Sequence, residues 1–443
     1  MPLRAWERAG GRGSGQGDGT GPAFGDQRGP AAIGPRAAGG RGGVRSGGQG
    51  VRGGTGRRVI TLQRTIAATR AWACLDCGKC TGVCPVSRHD GRFSPRRTVA
   101  DALLGKNALV SQRLWACLTC GRCSPVCPAN VHYTTLVRDL RIEAHAVGER
   151  GPCTHGDVIH GWMRMMAVGR STGLTTREWV QDRLGWLDDG LRTSLSSDTL
   201  FFVGCAPYYD VLFRDSLGIE GVQVPRASVR LLNHLGIEPV VLPDEVCCGH
   251  DLLWEGDVAT FRRLAERNAA LIRETGVRRV VTGCAECART LRVDYPQFVG
   301  PLGVEVLHLA ELIADCKLQI ADCTLQRVTY HDPCRLGRHL GVYDPPRRAL
   351  EAAGYQVVEM AHSGPTAVCC GTSGWTDCGA ANKGIQVARL REAVATGAEV
   401  LVTACPKCQI HLKCALADKE VGAEIGIAVR DLGTMVAAQI NEQ

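Results

Sequence analysis

The sequence lacks several features, and each absence argues against a class of protein. No apolar run approaches 18 residues, so there is no candidate transmembrane helix. Aromatic residues make up only 5% of the 443 residues, which does not favour a surface that stacks on nucleic-acid bases. No glycine-rich nucleotide fingerprint lies at a strand-to-helix turn, and no haem-attachment motif occurs. Bound nucleotide and haem are therefore not expected.

Cysteine, in contrast, is unusually abundant, with 23 residues. In a small secreted chain this number would predict a disulfide framework. This chain is long, has no signal-peptide hydrophobic region, and groups its cysteines in short C-x-x-C spacings. We therefore expect thiolate ligation of metal in a reducing, cytoplasmic compartment, with peripheral attachment to the inner membrane through a partner as a further option.

The first 58 residues differ from the rest in composition. They contain ten Arg, three acidic residues and 20 of the 55 Gly, so the net charge of +8 falls to +1 on the remainder. Such a segment cannot bury a core, and we expect residues 1–58 to be a disordered leader. A nucleic-acid-binding tail is one interpretation. The others are a solvated leader and a start codon placed too early, with the natural start near Val59.

Three blocks follow: residues 59–150 with eight cysteines, a connector over 151–198, and an internal repeat over 199–443. Each copy of the repeat has one Cys, a Cys pair followed by Gly, and a C-x-x-C motif. The first copy has Cys205, Cys247, Cys248, Cys284 and Cys287; the second has Cys334, Cys369, Cys370, Cys405 and Cys408. The offsets of 129, 122 and 121 residues predict two similar domains, 199–325 and 326–443.

Short β-branched runs end at the cysteines of this repeat: TLFFVGC, RRVVTGC, RVTYHDPC and AEVLVTAC. Amphipathic helical patterns such as ATFRRLAERNAALIRETG and KGIQVARLREAVATG lie between them. Strands that alternate with helices predict α/β domains with largely parallel sheets, which bind ligands at the carboxyl ends of their strands. We expect the thiols at that edge, and the Gly after each Cys pair to let the backbone pass close to an inorganic cluster.

Two four-cysteine runs lie in the first block. They are Cys74-x-x-Cys77-x-x-Cys80-x-x-x-Cys84-Pro85 and Cys117-x-x-Cys120-x-x-Cys123-x-x-x-Cys127-Pro128. This is the spacing of bacterial two-cluster ferredoxins, in which the fourth Cys of each run binds the other cluster. We expect a mostly helical dicluster domain whose two cubane [4Fe–4S] clusters are bound by Cys74, Cys77, Cys80 and Cys127, and by Cys117, Cys120, Cys123 and Cys84.

Two alternatives concern this block. Zinc sites share the C-x-x-C motif, but they need neither the third Cys nor the following Pro. Arg96 and Arg97, between the two runs, either help to dock an acidic redox partner or form a solvated face.

The order of these motifs resembles the catalytic iron–sulfur subunits of heterodisulfide reductases, in particular the form that fuses ferredoxin-like and catalytic parts. The resemblance covers roughly residues 70–415 and rests on CLDCGKCTGVCPV, FSPRR, CLTCGRCSPVCP, EVCCG, TGCAEC, YHDPCRLGRH, AVCCGTSG and TACPKC. It implies two noncubane [4Fe–4S] clusters, one bound by each five-cysteine set of the repeat. It also implies that a substrate disulfide is held between these clusters and is cleaved by electrons that arrive through the cubanes.

The same superfamily includes electron-transfer subunits of glycolate, lactate and glycerol-3-phosphate dehydrogenases, which provide the alternative function. In many of these relatives one five-cysteine set is incomplete, whereas both are intact here, which favours a disulfide reductase. Either function needs a flavoprotein or a membrane cytochrome b as electron-transfer partner. The reductase also needs a small-molecule or protein disulfide as substrate, and nucleic acid is not expected as a partner.

His331 and His339 flank Cys334 and are candidate catalytic residues. A departing thiolate needs an acid that titrates near neutral pH, which histidine supplies. Alternatively, His331 caps a turn or hydrogen-bonds a cluster sulfur. Five cysteines are left over and are more typical of small buried hydrophobes, although Cys378 is close enough in sequence to approach the second cluster; they are Cys153, Cys316, Cys323, Cys378 and Cys414.

The first prediction concerns metal content. Four clusters of four iron atoms each would give about 16 iron atoms and about 16 acid-labile sulfides per chain after strictly anaerobic purification. Iron and sulfide assays measure both numbers. About 8 of each in a folded sample would mean that only the ferredoxin-like segment binds clusters.

Overall fold

The structure is a computed structural model that describes residues 62–105, 109, 112–168, 183–314 and 326–440. The predicted leader over residues 1–58 lies outside these residues, as do Cys316 and Cys323. All described residues belong to one unit, which spans residues 53–443.

Helices and turns form the described part of residues 62–168, in agreement with the mostly helical prediction. Residues 62–68 are helical, and single 3-10 turns occur at Ala71–Ala73 and His155–Asp157. The α-helices are α1 (Lys79–Val83), α2 (Pro85–His89), α3 (Pro95–Leu103), α4 (Gln112–Ala116), α5 (Tyr133–Ala146) and α6 (Val158–Val168). Proline occupies the first position of α2 and α3, where its missing N–H removes no helical hydrogen bond.

In the described ranges, seven short strands form two sheets, and every pairing between them is parallel. The first sheet has the order β1-β2-β3 and the second the order β5-β4-β6-β7. The strands are β1 (Thr199–Phe201), β2 (Arg279–Thr282), β3 (Glu305–His308), β4 (Arg327–His331), β5 (Gln356–Val357), β6 (Val400–Thr403) and β7 (Ala428–Asp431). The α/β fold with parallel sheets is confirmed.

The two sheets repeat the same topology. A single parallel bridge between Leu200 and Val240 extends the first sheet beside β1, on the side where β5 flanks β4 in the second. We call described residues 199–314 the first module and 326–440 the second module. Each module therefore places its strands in the same order, as the sequence repeat predicts.

Helices connect the strands in both modules. In the first module they are α7 (Ala206–Leu217), α8 (Gln223–His234), α9 (His250–Glu255), α10 (Val258–Thr275), α11 (Ala285–Arg289), α12 (Tyr295–Phe298) and α13 (Leu309–Ile313), with a π-helical turn at Thr290–Asp294. In the second they are α14 (Gly337–Leu340), α15 (Asp344–Ala352), α16 (Ala380–Val394), α17 (Pro406–Leu416), α18 (Lys419–Glu424) and α19 (Leu432–Ala437), with a 3-10 turn at Gly364–Thr366. None of the described helices is long and apolar enough to cross a bilayer.

The two predicted amphipathic patterns form α10 and α16, and each helix packs against the Gly that follows a Cys pair. A Cβ on Gly249 would lie 2.7 Å from the Phe261 ring of α10, and one on Gly371 would lie 2.8 Å from Asn382 O of α16. Both glycines have positive φ, +81° and +89°. Glycine is thus needed at both positions for helix packing and for the backbone conformation. The predicted close approach of the backbone to a cluster stays a prediction.

Asn268 of α10 holds the backbone of the first Cys pair. Its Oδ1 accepts from Val246 N at 3.0 Å, and its Nδ2 donates to Val246 O at 3.0 Å and to Cys247 O at 3.2 Å. Gln386 of α16 is equally buried, but neither of its amide atoms has a hydrogen-bond partner in the described residues.

This contrast yields a matched pair of variants. Asn268→Leu leaves buried backbone groups unpaired and should lower the free energy of unfolding by about 3 kcal/mol. Gln386→Leu removes two unpaired polar atoms and should leave it within about 1 kcal/mol of the unmodified value. Urea denaturation followed by circular dichroism measures both. Equal losses in the two variants would contradict this assignment.

Candidate metal centres

Four cysteines of the ferredoxin-like segment line one cavity. Cys84, Cys117, Cys120 and Cys123 surround about 330 Å³ of space, and these are the four residues predicted for the second cubane. Cys84 belongs to the first run. It is the N-cap residue of α2 and lies beside the three cysteines of the second run. Thr119 N–H donates to Cys117 Sγ at 3.3 Å, the type of contact that stabilises cluster sulfur.

The set predicted for the first cubane lies nearer the surface. Cys77 is exposed, and Cys74, Cys80 and Cys127 are half-buried. Val131 N–H donates to Cys127 Sγ at 3.4 Å. Burial raises the pKa of the Cys80 thiol, and the neighbouring thiol of Cys74 adds to the rise.

All five cysteines of the first module line a second cavity, of about 490 Å³. Cys205 Sγ lies 3.1 Å from Cys247 Sγ, and Cys287 Sγ lies 3.5 Å from Cys248 Sγ. Cys205 follows β1 and Cys284 follows β2, so the thiols meet at the carboxyl edge of the sheet, as predicted.

Four cysteines of the second module line a third cavity, of about 290 Å³: Cys334, Cys370, Cys405 and Cys408. The fifth, Cys369, lies beside the thiols of Cys120, Cys334 and Cys370, which raise its pKa well above the ordinary value. The structure therefore brings together each five-cysteine set of the repeat.

Four of the cysteines are N-cap residues: Cys84 for α2, Cys205 for α7, Cys284 for α11 and Cys405 for α17. The positive end of a helix dipole favours a thiolate at this position. In Gly204, before Cys205, an added Cβ would lie 2.8 Å from Cys287 Sγ. A side chain at position 204 would therefore push the thiol of Cys287 away from this site.

The donor sets fit iron–sulfur clusters on chemical grounds. Burial raises the pKa of Cys84 to about 12, and the hydrogen bond with Cys284 raises the pKa of Cys405 to about 12 as well. Buried thiols of this kind stay protonated unless a metal supplies the compensating positive charge. Soft thiolate sets suit iron–sulfur clusters and zinc, and sets of five cysteines exceed the four ligands of a zinc site.

A buried charge cluster separates the second and third cavities. Lys407 Nζ hydrogen-bonds to Asp251 and lies 2.7 Å from Glu286 Oε1. Glu286 and Lys407 line both cavities. Burial lowers the pKa of Lys407, but the two carboxylates outweigh this effect and hold the pKa well above its ordinary value. Lys407 is therefore a fixed cation between the two five-cysteine sets.

The segment after Cys334 attaches the second module to the ferredoxin-like segment. Arg335 donates to Thr119 O at 2.7 Å and to Thr119 Oγ1 at 2.8 Å. Arg338 donates to Cys120 O at 2.6 Å and to Ala367 O at 2.8 Å. The neighbouring thiol of Cys369 also lowers the pKa of Cys120 to about 5. The predicted second cubane site thus lies directly against the second module.

His339 belongs to this attachment and lines neither module's cavity. Its Nε2 accepts from Arg335 Nη1 at 2.9 Å and lies 3.0 Å from Thr119 O. Burial and the charge of Arg335 lower its pKa well below the ordinary value. A neutral interface residue of this kind is a poor proton donor, and the catalytic role of His339 stays a prediction.

His331 lies inside the second module, and one of its ring nitrogens is within 4.8 Å of the sulfurs of Cys370 and Cys408. Arg389 Nε–H donates to His331 Nδ1 at 3.1 Å, so the ring carries its hydrogen on Nε2 as a neutral imidazole. Burial lowers its pKa. The geometry favours the alternative role, a hydrogen bond to a cluster sulfur, over proton donation.

Sequence reasoning missed the charged residues between the modules. Asp251, Glu286 and Lys407 lie within or directly after the cysteine motifs, which were considered only for their thiols. A charged side chain inside a C-x-x-C motif is the signal that could have identified Glu286 and Lys407. Of the left-over cysteines, Cys378 lines neither module's cavity, and Cys414 Sγ accepts from Lys383 Nζ at 3.0 Å.

Comparison with known families agrees with this arrangement. Residues 199–292 and 328–413 each match the CCG cysteine-rich domain, and residues 70–131 match the 4Fe-4S dicluster domain. Among solved structures, a putative Asp/Glu racemase from Yersinia pestis gives a TM-score of 0.24 at 12% identity, covering 54% of this chain and 96% of that one. That score is too low to indicate a shared overall fold.

Several relatives are similar in sequence. A subunit of the dihydromethanophenazine:CoB–CoM heterodisulfide reductase of Methanosarcina mazei is 34% identical over 58% of this chain and 62% of its own length. EtfAB:quinone oxidoreductase of Syntrophomonas wolfei is 34% identical over 51% of this chain and 34% of its own length. A subunit of the fumarate reductase (CoM/CoB) of Methanothermobacter marburgensis is 34% identical over 50% and 43%, respectively.

The chain thus spans less than two thirds of the length of the relatives it matches. The chain has the ferredoxin-like cysteines, both repeated modules and their parallel sheets in one polypeptide. The chain is thus an iron–sulfur protein with a 4Fe-4S dicluster domain followed by two CCG cysteine-rich domains, and it is related in sequence to this heterodisulfide reductase subunit.

Proposed function

We propose that the chain is the catalytic subunit of a disulfide reductase, with two cubane and two noncubane [4Fe–4S] clusters. When bound, these clusters supply one-electron chemistry at low potential. The ligands would be the two ferredoxin-type sets and the two five-cysteine sets of the modules. The proposal implies that electrons pass from the cubanes to the noncubane clusters, where the disulfide is cleaved.

The observation that carries the proposal is the juxtaposition of two complete five-cysteine sets. The neighbouring thiols of Cys287 and, from the second module, Cys405 lower the pKa of Cys284 to about 6. Both cavities share a wall formed by Glu286 and Lys407. Cleavage of a disulfide releases two thiolates, and two facing metal sites provide one acceptor for each.

The wall between the cavities also fixes buried charge in this proposal. Lys407 is 2% exposed and stays charged, and its charge is balanced by Asp251 and Glu286. Trp375 Nε1–H donates to Asp251 Oδ2 at 3.1 Å, and Glu286 accepts from the other side of the ammonium group. These bonds fix the ammonium group, so it needs no reorganisation when thiolate charge forms.

One relative supports an alternative. EtfAB:quinone oxidoreductase is named for electron transfer to quinone, and the chain matches it at the same identity as the heterodisulfide reductase relative. The alternative function is an electron-transfer component of a flavin-dependent glycolate, lactate or glycerol-3-phosphate dehydrogenase-type complex. Both functions need an electron partner, for which we propose a flavoprotein or a membrane cytochrome b.

Disulfide-driven reoxidation tests the proposal. The anaerobically reduced chain should regain its visible iron–sulfur absorbance when a low-molecular-weight disulfide is added, at a rate that depends on disulfide concentration. Stopped-flow absorbance measures this rate against a disulfide-free control. Reoxidation by a quinone-linked acceptor but by none of a panel of disulfides would instead support the electron-transfer function.

Single-cysteine variants test whether both modules take part in disulfide-driven reoxidation. Cys287→Ala and Cys408→Ala each remove one ligand from one module, and each should slow disulfide-driven reoxidation by at least about tenfold. Reduction of the ferredoxin-like segment should persist in both, because its cysteines are separate. Cys414→Ala is the matched control, since Cys414 lies on α17 with Cys408 but outside both five-cysteine sets. If only one module's variant slowed the reaction, a site between the modules would be excluded.

A further inference from the structure

Three arginines converge on the loop of residues 117–123, which carries three of the cysteines predicted for the second cubane. They come from three places: Arg141 from α5, Arg335 from the segment after Cys334, and Arg338 from α14. Each donates to a main-chain carbonyl of the loop. The bonds are Arg141 Nη2 to Cys117 O at 2.6 Å, Arg335 Nη1 to Thr119 O at 2.7 Å and Arg338 Nε to Cys120 O at 2.6 Å.

The positive charges of these arginines are not neutralised locally. Arg141 is fully buried, Arg335 is 3% exposed, and Arg338 is half-buried. Within the described ranges, no carboxylate forms an ion pair with any of the three at 4.0 Å or less, and Glu255 acts on Arg141 only from beyond that distance. In a buried site, poorly screened charges interact more strongly than they would at the surface.

The loop of residues 74–80, which carries three cysteines predicted for the first cubane, has a different environment. Its arginine contact is Arg96, which donates to Asp76 O at 3.1 Å. The side chain of Arg96 is 40% exposed, and Asp76 Oδ1 lies 3.7 Å from its Nη1. Solvent and the carboxylate therefore both screen this charge.

We propose that Arg141, Arg335 and Arg338 raise the reduction potential of the cluster bound at the 117–123 loop above that of the cluster bound at the 74–80 loop. This inference rests on the proposed function, because it requires both cubane sites to be filled. Reduction adds one negative charge to a cluster, and nearby buried cations stabilise that charge. In electron transfer between the two clusters, the cluster at the 74–80 loop loses the electron that the cluster at the 117–123 loop gains, so this step needs no further reductant.

The consequence is a preferred direction of electron flow. The 74–80 loop contains the exposed Cys77, and the 117–123 loop contacts the second module through Cys120 and Cys369. A higher potential at the inner site draws electrons from the surface toward the module. The three arginines therefore act as positioning residues for electron transfer, in addition to attaching the segment.

The test is a potentiometric titration of the full chain, followed by electron paramagnetic resonance under anaerobic conditions. In the unmodified chain, the cluster at the 117–123 loop should have the higher midpoint potential. Arg338→Gln should make its reduction at least tenfold less favourable, a shift of 59 mV for one electron. Arg338→Lys should restore most of the shift, because it keeps the charge. Arg97→Gln, on the exposed face of α3, is the control and should move neither potential.

Assignment of the two signals uses Cys77→Ser, which changes only the cluster at the 74–80 loop. A lower potential at the 117–123 loop in the unmodified chain would overturn the proposal, even if Arg338→Gln does not fold. Equal shifts of both clusters in Arg338→Gln, or no shift, would overturn it as well. The titration contains no disulfide, so its outcome is independent of whether the chain reduces disulfides.

Discussion

A buried ammonium group between two carboxylates is the interaction on which the arrangement of the two modules depends. Lys407 comes from the second module, and Asp251 and Glu286 come from the first. Moving such charges out of water costs several kcal/mol each unless they are paired with good geometry. Each module therefore leaves uncompensated charge at this surface unless the other covers it. Because Glu286 and Lys407 lie inside C-x-x-C motifs, the same contact holds the two cysteine sets at a fixed separation.

The cysteine sets impose a second constraint, which couples the fold to metal. Thiols such as Cys247 and Cys408 are buried together with pKa values well above normal, so the apo chain has to keep many of them protonated. Iron favours their deprotonated form, and the free energy of metal binding then adds to the free energy of folding. The N-cap positions of Cys205 and Cys405 also favour the deprotonated thiols, because helix N-termini stabilise negative charge on sulfur.

Local patterns predicted the parts of this structure that depend on neighbouring residues. The strands that end at cysteines, the helices α10 and α16 and the duplicated module all follow from side-chain period and spacing. The shortest strand, β5, has only two residues and carries too little pattern to be recognised. Long-range pairs were out of reach for a different reason: Arg335 and Thr119 are 216 residues apart, and Lys407 and Asp251 are 156 residues apart. Nothing in the composition of either segment identifies its partner. The catalytic roles of His331 and His339 stay predictions. Their long-range contacts could not be read from the sequence, because Arg389, which donates to His331, is 58 residues away and Thr119 O, which lies near His339 Nε2, is 220 residues away.

Glu286 and Lys407 occupy the same position in the two copies of the repeat, yet they carry opposite charges and contact each other. Two identical subunits could not make this contact, since a symmetric pair would bring like charges together at that position. Joining the copies in one polypeptide removes the symmetry requirement, so each half can specialise. Both halves meet the ferredoxin-like segment, the second through Arg335 and Arg338 and the first through Trp254, whose carbonyl accepts from Arg141 at 2.8 Å. The first half alone supplies the carboxylates that hold Lys407. The two modules therefore pair as the different subunits of a heterodimer do, and the surfaces through which they contact each other are not interchangeable.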